Sequence, residues 1–211
     1  LGSAERIADS SNLDVSGILN TNGEETVNSL TATGTINGEG TVSALNTDLD
    51  GATVNANLGS GNLNTAGDTT LNGSANADSL TVENGTLTVN GALTNNTATV
   101  TVENGTLAAN GTIAASSIDV QGGANLTSGE AERLNDGVAL NADGTVSLGG
   151  NETIGDLSGS GIIANNGNGL TVNQTSNTAF TGNITGAVGL TKRGEAGLTL
   201  TNGSDFTGDA N

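Results

Sequence analysis

The chain has 211 residues, 34 of them glycine, with no proline, cysteine, histidine, methionine, tyrosine or tryptophan and only two phenylalanines, Phe180 and Phe206. Its formal charge of −18 comes from 22 acidic and 4 basic side chains. Four cations cannot lay a track for phosphates, so nucleic acid is excluded as a partner and anionic membrane surfaces repel the chain. The same composition removes an imidazole base, a thiol nucleophile, a disulfide and the common zinc ligand sets. No apolar run reaches the eighteen or so residues that a membrane-spanning helix needs.

In chain order, the opening Leu1-Gly2-Ser3-Ala4-Glu5-Arg6 lacks the charged and apolar regions of a secretory signal, and the chain reads as a piece of something longer. A long repeat follows. Ala4 through Gly34 aligns without gaps to Ala131 through Gly161, pairing Asp9 with Asp136, Leu13 with Leu140, Glu25-Thr26 with Glu152-Thr153 and Leu30 with Leu157. Residues 1–43 and 126–163 are therefore related units. In both, Ala-Glu-Arg followed by Ile7 or Leu134 predicts a brief turn, of about one helical turn, bulging from the wall. Arg6 and Arg133 are expected to pair with nearby acids at its surface.

Between these units the repeat is shorter. Thr81-Val82-Glu83-Asn84-Gly85-Thr86-Leu87 returns as Thr101-Val102-Glu103-Asn104-Gly105-Thr106-Leu107, and Asn90-Gly91 as Asn110-Gly111, so residues 79–113 form rungs of about twenty residues. Alternating Leu/Val/Ile and Thr/Ser/Asn is the period-two signal of strands. First strands are expected near Leu63, Leu80, Val100, Ile118 and Val138, and second strands near Leu71, Leu87, Leu107, Leu126 and Val146. Leu93 and Ile113 mark a third apolar position. Asn-Gly and Gly-Gly supply the corners, where φ > 0 is tolerated.

Asn-Gly between alternating runs is also a hairpin signal. What favours stacking is that like follows like at a steady interval, which a meander does not require. Gly, Asn, Thr and Val are poor helix formers, and no 3.6-residue period is sustained. Disorder, the other reading of such a polar composition, is set aside because the aliphatic residues are regularly spaced. The chain is predicted to be all-β, one continuous parallel β-solenoid of about ten rungs, some 50 Å long at ~4.8 Å per rung.

The C-terminal unit, 164–211, carries Phe180-Thr181-Gly182-Asn183-Ile184-Thr185-Gly186, then Gly189-Leu190-Thr191-Lys192-Arg193-Gly194, Gly197-Leu198-Thr199-Leu200-Thr201-Asn202-Gly203 and Phe206-Thr207-Gly208. This resembles the passenger-associated strand repeat of bacterial autotransporters, and Glu152-Thr153-Ile154-Gly155-Asp156-Leu157 resembles the element that commonly precedes it. Phe206 stands where that pattern usually has Tyr, and Glu195-Ala196 interrupts its glycines. The resemblance covers roughly 150 to 208 well, and the first 125 residues only in general style. It implies a right-handed β-helix passenger, exported and displayed at, or released from, the surface of a Gram-negative cell. No series of ten-residue barrel strands follows it in this sequence.

Carboxylate pairs are the only candidates for catalysis: Asp48 with Asp50, Glu24 with Glu25, and Glu130 with Glu132. Each is a local pair without a surrounding set of aromatics or arginines to hold a sugar, so they read as surface acids. Gly122-Gly123 and Gly149-Gly150 lack the glycine and aspartate that a calcium-binding nonapeptide repeat needs, and Asp48-Leu49-Asp50-Gly51 is too short for a hand-type loop. No metal and no cofactor is expected. Thr-x-Thr pairs (Thr31/Thr33/Thr35, Thr86/Thr88, Thr97/Thr99/Thr101, Thr199/Thr201) raise an ice-binding alternative, against which stands the ordinary preference of Thr for exposed strands. The expected role is a non-enzymatic adhesin or stalk segment at the cell surface. Its partners would be a host-cell surface, a glycan or like chains on neighbouring cells, and a polysaccharide-active β-helix is the alternative.

Overall fold

The computed structural model describes residues 5–187, 189–202 and 205–206. Ala4 of the long repeat, and Gly203, Thr207 and Gly208 of the C-terminal motif, lie outside them. Among the described residues there is no helix, and each pairing between strands is parallel. The chain winds into a β-solenoid of about ten turns, as its sequence predicts.

Two long sheets form its main walls. The first runs from Asn12–Val15 through Glu24–Ala32, Thr41–Asp50, Asn62–Ala66, Ser79–Val82, Thr99–Val102, Ser117–Val120 and Ala139–Ala142 to Leu157–Ser158. The second begins at Ile18–Asn20 and Thr35–Asn37, continues through Thr69–Leu71, Thr86–Val89 and Thr106–Ala109, and reaches Ile162–Ala164, Asn183–Ala187 and Asp205–Phe206. A third wall is thinner. It is a ladder of single bridges, Leu58 to Ala75 to Leu93 to Ile113 to Leu134, followed by the strands Glu152–Ile154, Gly169–Asn173 and Gly189–Arg193.

Period-two alternation turns every second side chain inward, and parallel stacking places like on like. Leu63, Leu80, Val100, Ile118 and Leu140 form one interior column, and Leu87, Leu107, Leu126, Val146 and Ile163 another. All ten are at most 2% exposed. Each fully buried aliphatic side chain contributes about 1.5–3 kcal/mol of hydrophobic stabilisation, so the columns are the main cohesive force along the axis.

The strands expected to begin near Val138 and to centre near Leu71 both form, but their stacking residues are offset. Leu140, not Val138, stacks on Ile118, and Val138 is buried in the turn before the strand, its N–H donating to the Asn135 carbonyl. Leu71 stacks on Val89, while Thr69 is the residue beneath Leu87. Both shifts have one cause: the rung length is not fixed. Ser79 pairs with Thr99, twenty residues on, whereas Asn46 pairs with Asn62, sixteen on, and Ser117 with Ala139, twenty-two on. Strands keep register because slipping by one residue would turn the apolar column outward, so the corners absorb the difference.

The Ala-Glu-Arg-Leu turn also differs. A brief turn does form, with Ala131 and Glu132 exposed, but it is not helical: Leu134 is 2% exposed and bridges Ile113, so the segment returns at once to the third wall. Corners are where glycine matters. A Cβ on Gly111 would lie 1.5 Å from the Gly91 carbonyl oxygen, and one on Gly91 would lie 2.1 Å from that of Gly73. These glycines are needed for close approach of successive rungs, whereas Gly85, at φ +69°, is needed for its left-handed backbone as well.

Candidate functional site

Two of the three carboxylate pairs separate in the fold. Glu24 is exposed and its neighbour Glu25 is buried, because adjacent residues of a strand face opposite ways. Glu130 forms an ion pair with the Arg133 guanidinium, the expected surface role of that arginine, while Glu132 accepts a hydrogen bond from Thr153 Oγ1 at 3.3 Å. Only Asp48 and Asp50 share a face. They stand two residues apart on the outer side of the first sheet and, with Thr31, Asn64 and Glu83, line a groove of about 240 Å3. Asn64 Nδ2 donates to Asp48 Oδ1 at 2.8 Å. Asp119, further along the same outward column, takes the same kind of bond from Asn141 at 2.8 Å. Bonds of Asp143 to Ser160 and to Asn141 hold its carboxyl below the usual carboxylate range.

The most constructed polar feature is one that sequence reasoning missed. Glu25 and Glu152 are each 1% exposed and point into the interior, and Glu152 lies directly beneath Leu170. Each binds the turn of the rung below. Arg6 N–H and Ile7 N–H donate to Glu25 Oε2 at 2.9 and 3.0 Å; Arg133 N–H and Leu134 N–H donate to the two oxygens of Glu152 at 2.8 and 3.4 Å. The residue before each donor pair, Glu5 or Glu132, has φ of 53° or 50°, which fans successive N–H groups toward one point. Such a concavity of backbone donors suits an anion. Thr26 and Thr153 close the arrangement by donating to Glu5 and Glu132 at 3.2 and 3.3 Å.

Both copies therefore carry the same lock, a buried glutamate holding a left-handed turn to the next rung. The signal in the sequence is the constant interval of twenty residues from Glu5 to Glu25 and from Glu132 to Glu152. Burial pushes the Glu152 carboxyl up to about 7, and the two N–H donors only partly offset it. Asp156, a few residues on, shows the reverse balance. Burial raises it, but the N–H groups of Ser176 and Thr175 and the Thr175 hydroxyl prevail and hold it below the usual range.

Along one edge of the second sheet runs an asparagine ladder. Asn55 Nδ2 donates to Asn37 Oδ1 at 2.6 Å, Asn72 to Asn55 at 2.7 Å, Asn90 to Asn72 at 2.8 Å and Asn110 to Asn90 at 2.9 Å. Beside it Thr35, Thr53, Thr70 and Thr88 stack in consecutive rungs. Neither row is visible as a repeat of fixed length, because seventeen- and eighteen-residue rungs supply most of it.

Among the described residues no three of Asp, Glu, His and Cys converge on a point where a metal ion could sit, and no helix is long and apolar enough to cross a membrane. No family model matches the chain, and neither a curated protein nor a solved structure matches it. Geometry alone carries the functional reading. What it provides is not a pocket but rows of hydroxyls, amides and carboxylates repeated at the spacing of the rungs.

Proposed function

We propose that this chain is a stalk or binding segment of an exported, surface-displayed adhesive protein of the autotransporter passenger type. The observation that carries the proposal is the registered stacking of outward polar side chains along a rod of about ten turns. A contact made by one rung is offered again by the next at ~4.8 Å, so weak individual contacts add as avidity. The passenger-like motif supports the reading by its placement. Thr178–Phe180, Gly189–Arg193 and Leu198–Leu200 each form a further strand of the coil, and Phe180 is fully buried. In this reading the chain is a right-handed β-helix outside a Gram-negative cell, contacting a host-cell surface, a glycan or like chains on a neighbouring cell. It works without catalysis or cofactor.

The test is adhesion by the chain itself. Beads coated with it are expected to clump or to adhere to cell monolayers and glycan-coated surfaces, beyond beads coated with an unrelated protein of similar acidity. Beads that do neither rule the adhesive role out. A second reading draws on the groove that brings Asp48, Asp50 and Glu83 together: hydrolysis of a polysaccharide. Release of reducing ends, lost in Asp48→Asn or Asp50→Asn, would establish it. The threonine column at Thr35 to Thr88 supports an ice-binding reading in the same limited way, and absence of thermal hysteresis removes it.

A further inference from the structure

We infer that the outer face of the second sheet is where a second copy of this chain docks. The inference deepens the adhesive role proposed above by naming a partner and a surface.

Charge distribution is the first reason. In a chain of net charge −18, no strand of the second sheet from Ile18–Asn20 to Asn183–Ala187 carries a charged residue. The first sheet by contrast bears Asp14, Glu24, Asp48, Asp50 and Asp119 within its strands, and the third wall bears Lys192 and Arg193. Asp205 sits in the sheet's last strand, beyond these ten, and Asp68 stands at a corner of the neutral face, where its carboxylate accepts the Thr86 N–H at 3.0 Å. Two rods of like charge repel in most orientations. Turned so that these faces meet, they bring neutral surface to neutral surface and leave the acids on the far side and at the corners.

The chemistry of the face is the second reason. One outward column holds Thr35, Thr53, Thr70, Thr88, Ala108, Thr127 and Ser147, and Ile18 and Ile162, 71% and 44% exposed, are two of the three large hydrophobic residues left open to solvent among those described. Threonine is stiff about χ1 and loses little rotamer freedom on contact. The asparagine ladder holds the adjacent edge rigid. Such a surface is preorganised for a flat, self-complementary contact about a twofold axis.

Size sets the strength. Ten strands at ~4.8 Å give a face about 43 Å long, and three to four residues per strand give a width of about 10–13 Å. The pair would bury about 1,000 Å2 in total, at the lower limit for a specific interface. A weak dimer in solution, strengthened by avidity between surfaces that display many copies, is the expected behaviour.

The experiment is sedimentation and light scattering of the chain over a range of concentrations and salt, with variants. The wild-type chain is expected to dimerise at high concentration, and more tightly as added salt screens the acidic repulsion. Thr70→Glu and Thr88→Glu, made separately and checked for strand content by circular dichroism, are each expected to weaken association about tenfold or more. Thr99→Glu, the same change on the outer side of the first sheet, is expected to leave it within about threefold. A chain that stays monomeric throughout, a dimer that salt weakens, or equal loss in Thr99→Glu overturns the inference. Bead assays separate this inference from the adhesive role. A chain monomeric in solution whose beads adhere to cells removes the docking face and leaves adhesion standing. A chain that dimerises through this face while its beads neither clump nor adhere keeps the face and removes the adhesive role.

Discussion

Replacing Glu152 with glutamine should make the chain more stable at neutral pH and remove part of its pH dependence. The buried carboxyl has its pKa raised from about 4.5 to about 7. Between those values the folded chain keeps a proton that the unfolded chain has released, so this group's contribution to stability falls as pH rises through the window. A shift of that size corresponds to about 3 kcal/mol at ~1.4 kcal/mol per unit; solvent entering the groove shared by Glu132, Glu152 and Thr153 discounts it to about 2 kcal/mol. Glu152→Gln keeps an oxygen to accept the Arg133 N–H and cannot ionise. The two proteins should be nearly equal in stability near pH 4.5, and the variant should lead by about 2 kcal/mol at pH 8. Urea titrations at a series of pH values measure the difference, and the repulsion among the other acids is largely common to both chains. Solenoids can open in parts, so exchange rates of the Arg133 and Leu134 amides should be followed alongside. Parallel pH profiles, or a wild-type chain that gains on the variant as pH rises, would show that the turn holds a charged carboxylate and would refute the reasoning.

Corner glycines can be tested as a pair. Gly111→Ala forces a Cβ against the Gly91 carbonyl and should cost about 1–3 kcal/mol, whereas Gly122→Ala meets no atom within 4 Å and should change thermal stability by less than about 1 kcal/mol. Asn90→Asp removes the donor to Asn72 and sets a carboxylate within the ladder. A loss of about 0.5–1.5 kcal/mol is expected, and an unchanged urea midpoint would mean that the ladder contributes nothing. Asn165 is fully buried with neither amide atom partnered in the protein, so Asn165→Leu should stabilise the chain by about 1–2 kcal/mol; a lower melting temperature would count against this.

Function was less legible than fold, for a physical reason visible in the acids. Pairing Glu24 with Glu25 by adjacency fails because a strand sends neighbours to opposite sides, one to solvent and one to the interior. Pairing Asp48 with Asp50 succeeds because residues two apart share a face, yet Glu83, which joins them in the groove, comes from two rungs above and has no sequence relation to them. The lock at Glu152 was half visible. Its two parts recur at a constant interval, but nothing local says that the carboxylate turns inward to meet backbone N–H groups.

What the sequence determined by itself is the alternation of aliphatic and polar residues, the recurrence of like after like, and the third apolar position at Leu93 and Ile113. Together these are enough for a parallel stack with an aliphatic interior, because period two is a property of the strand alone. Only the tertiary structure decided that rungs of sixteen to twenty-two residues share one register, that Leu140 and not Val138 continues the column from Ile118, and which acids are buried. Register is fixed by burying the column as a whole. The corners yield to it, so a position's partner depends on how much chain the intervening turns take up, which no local pattern records.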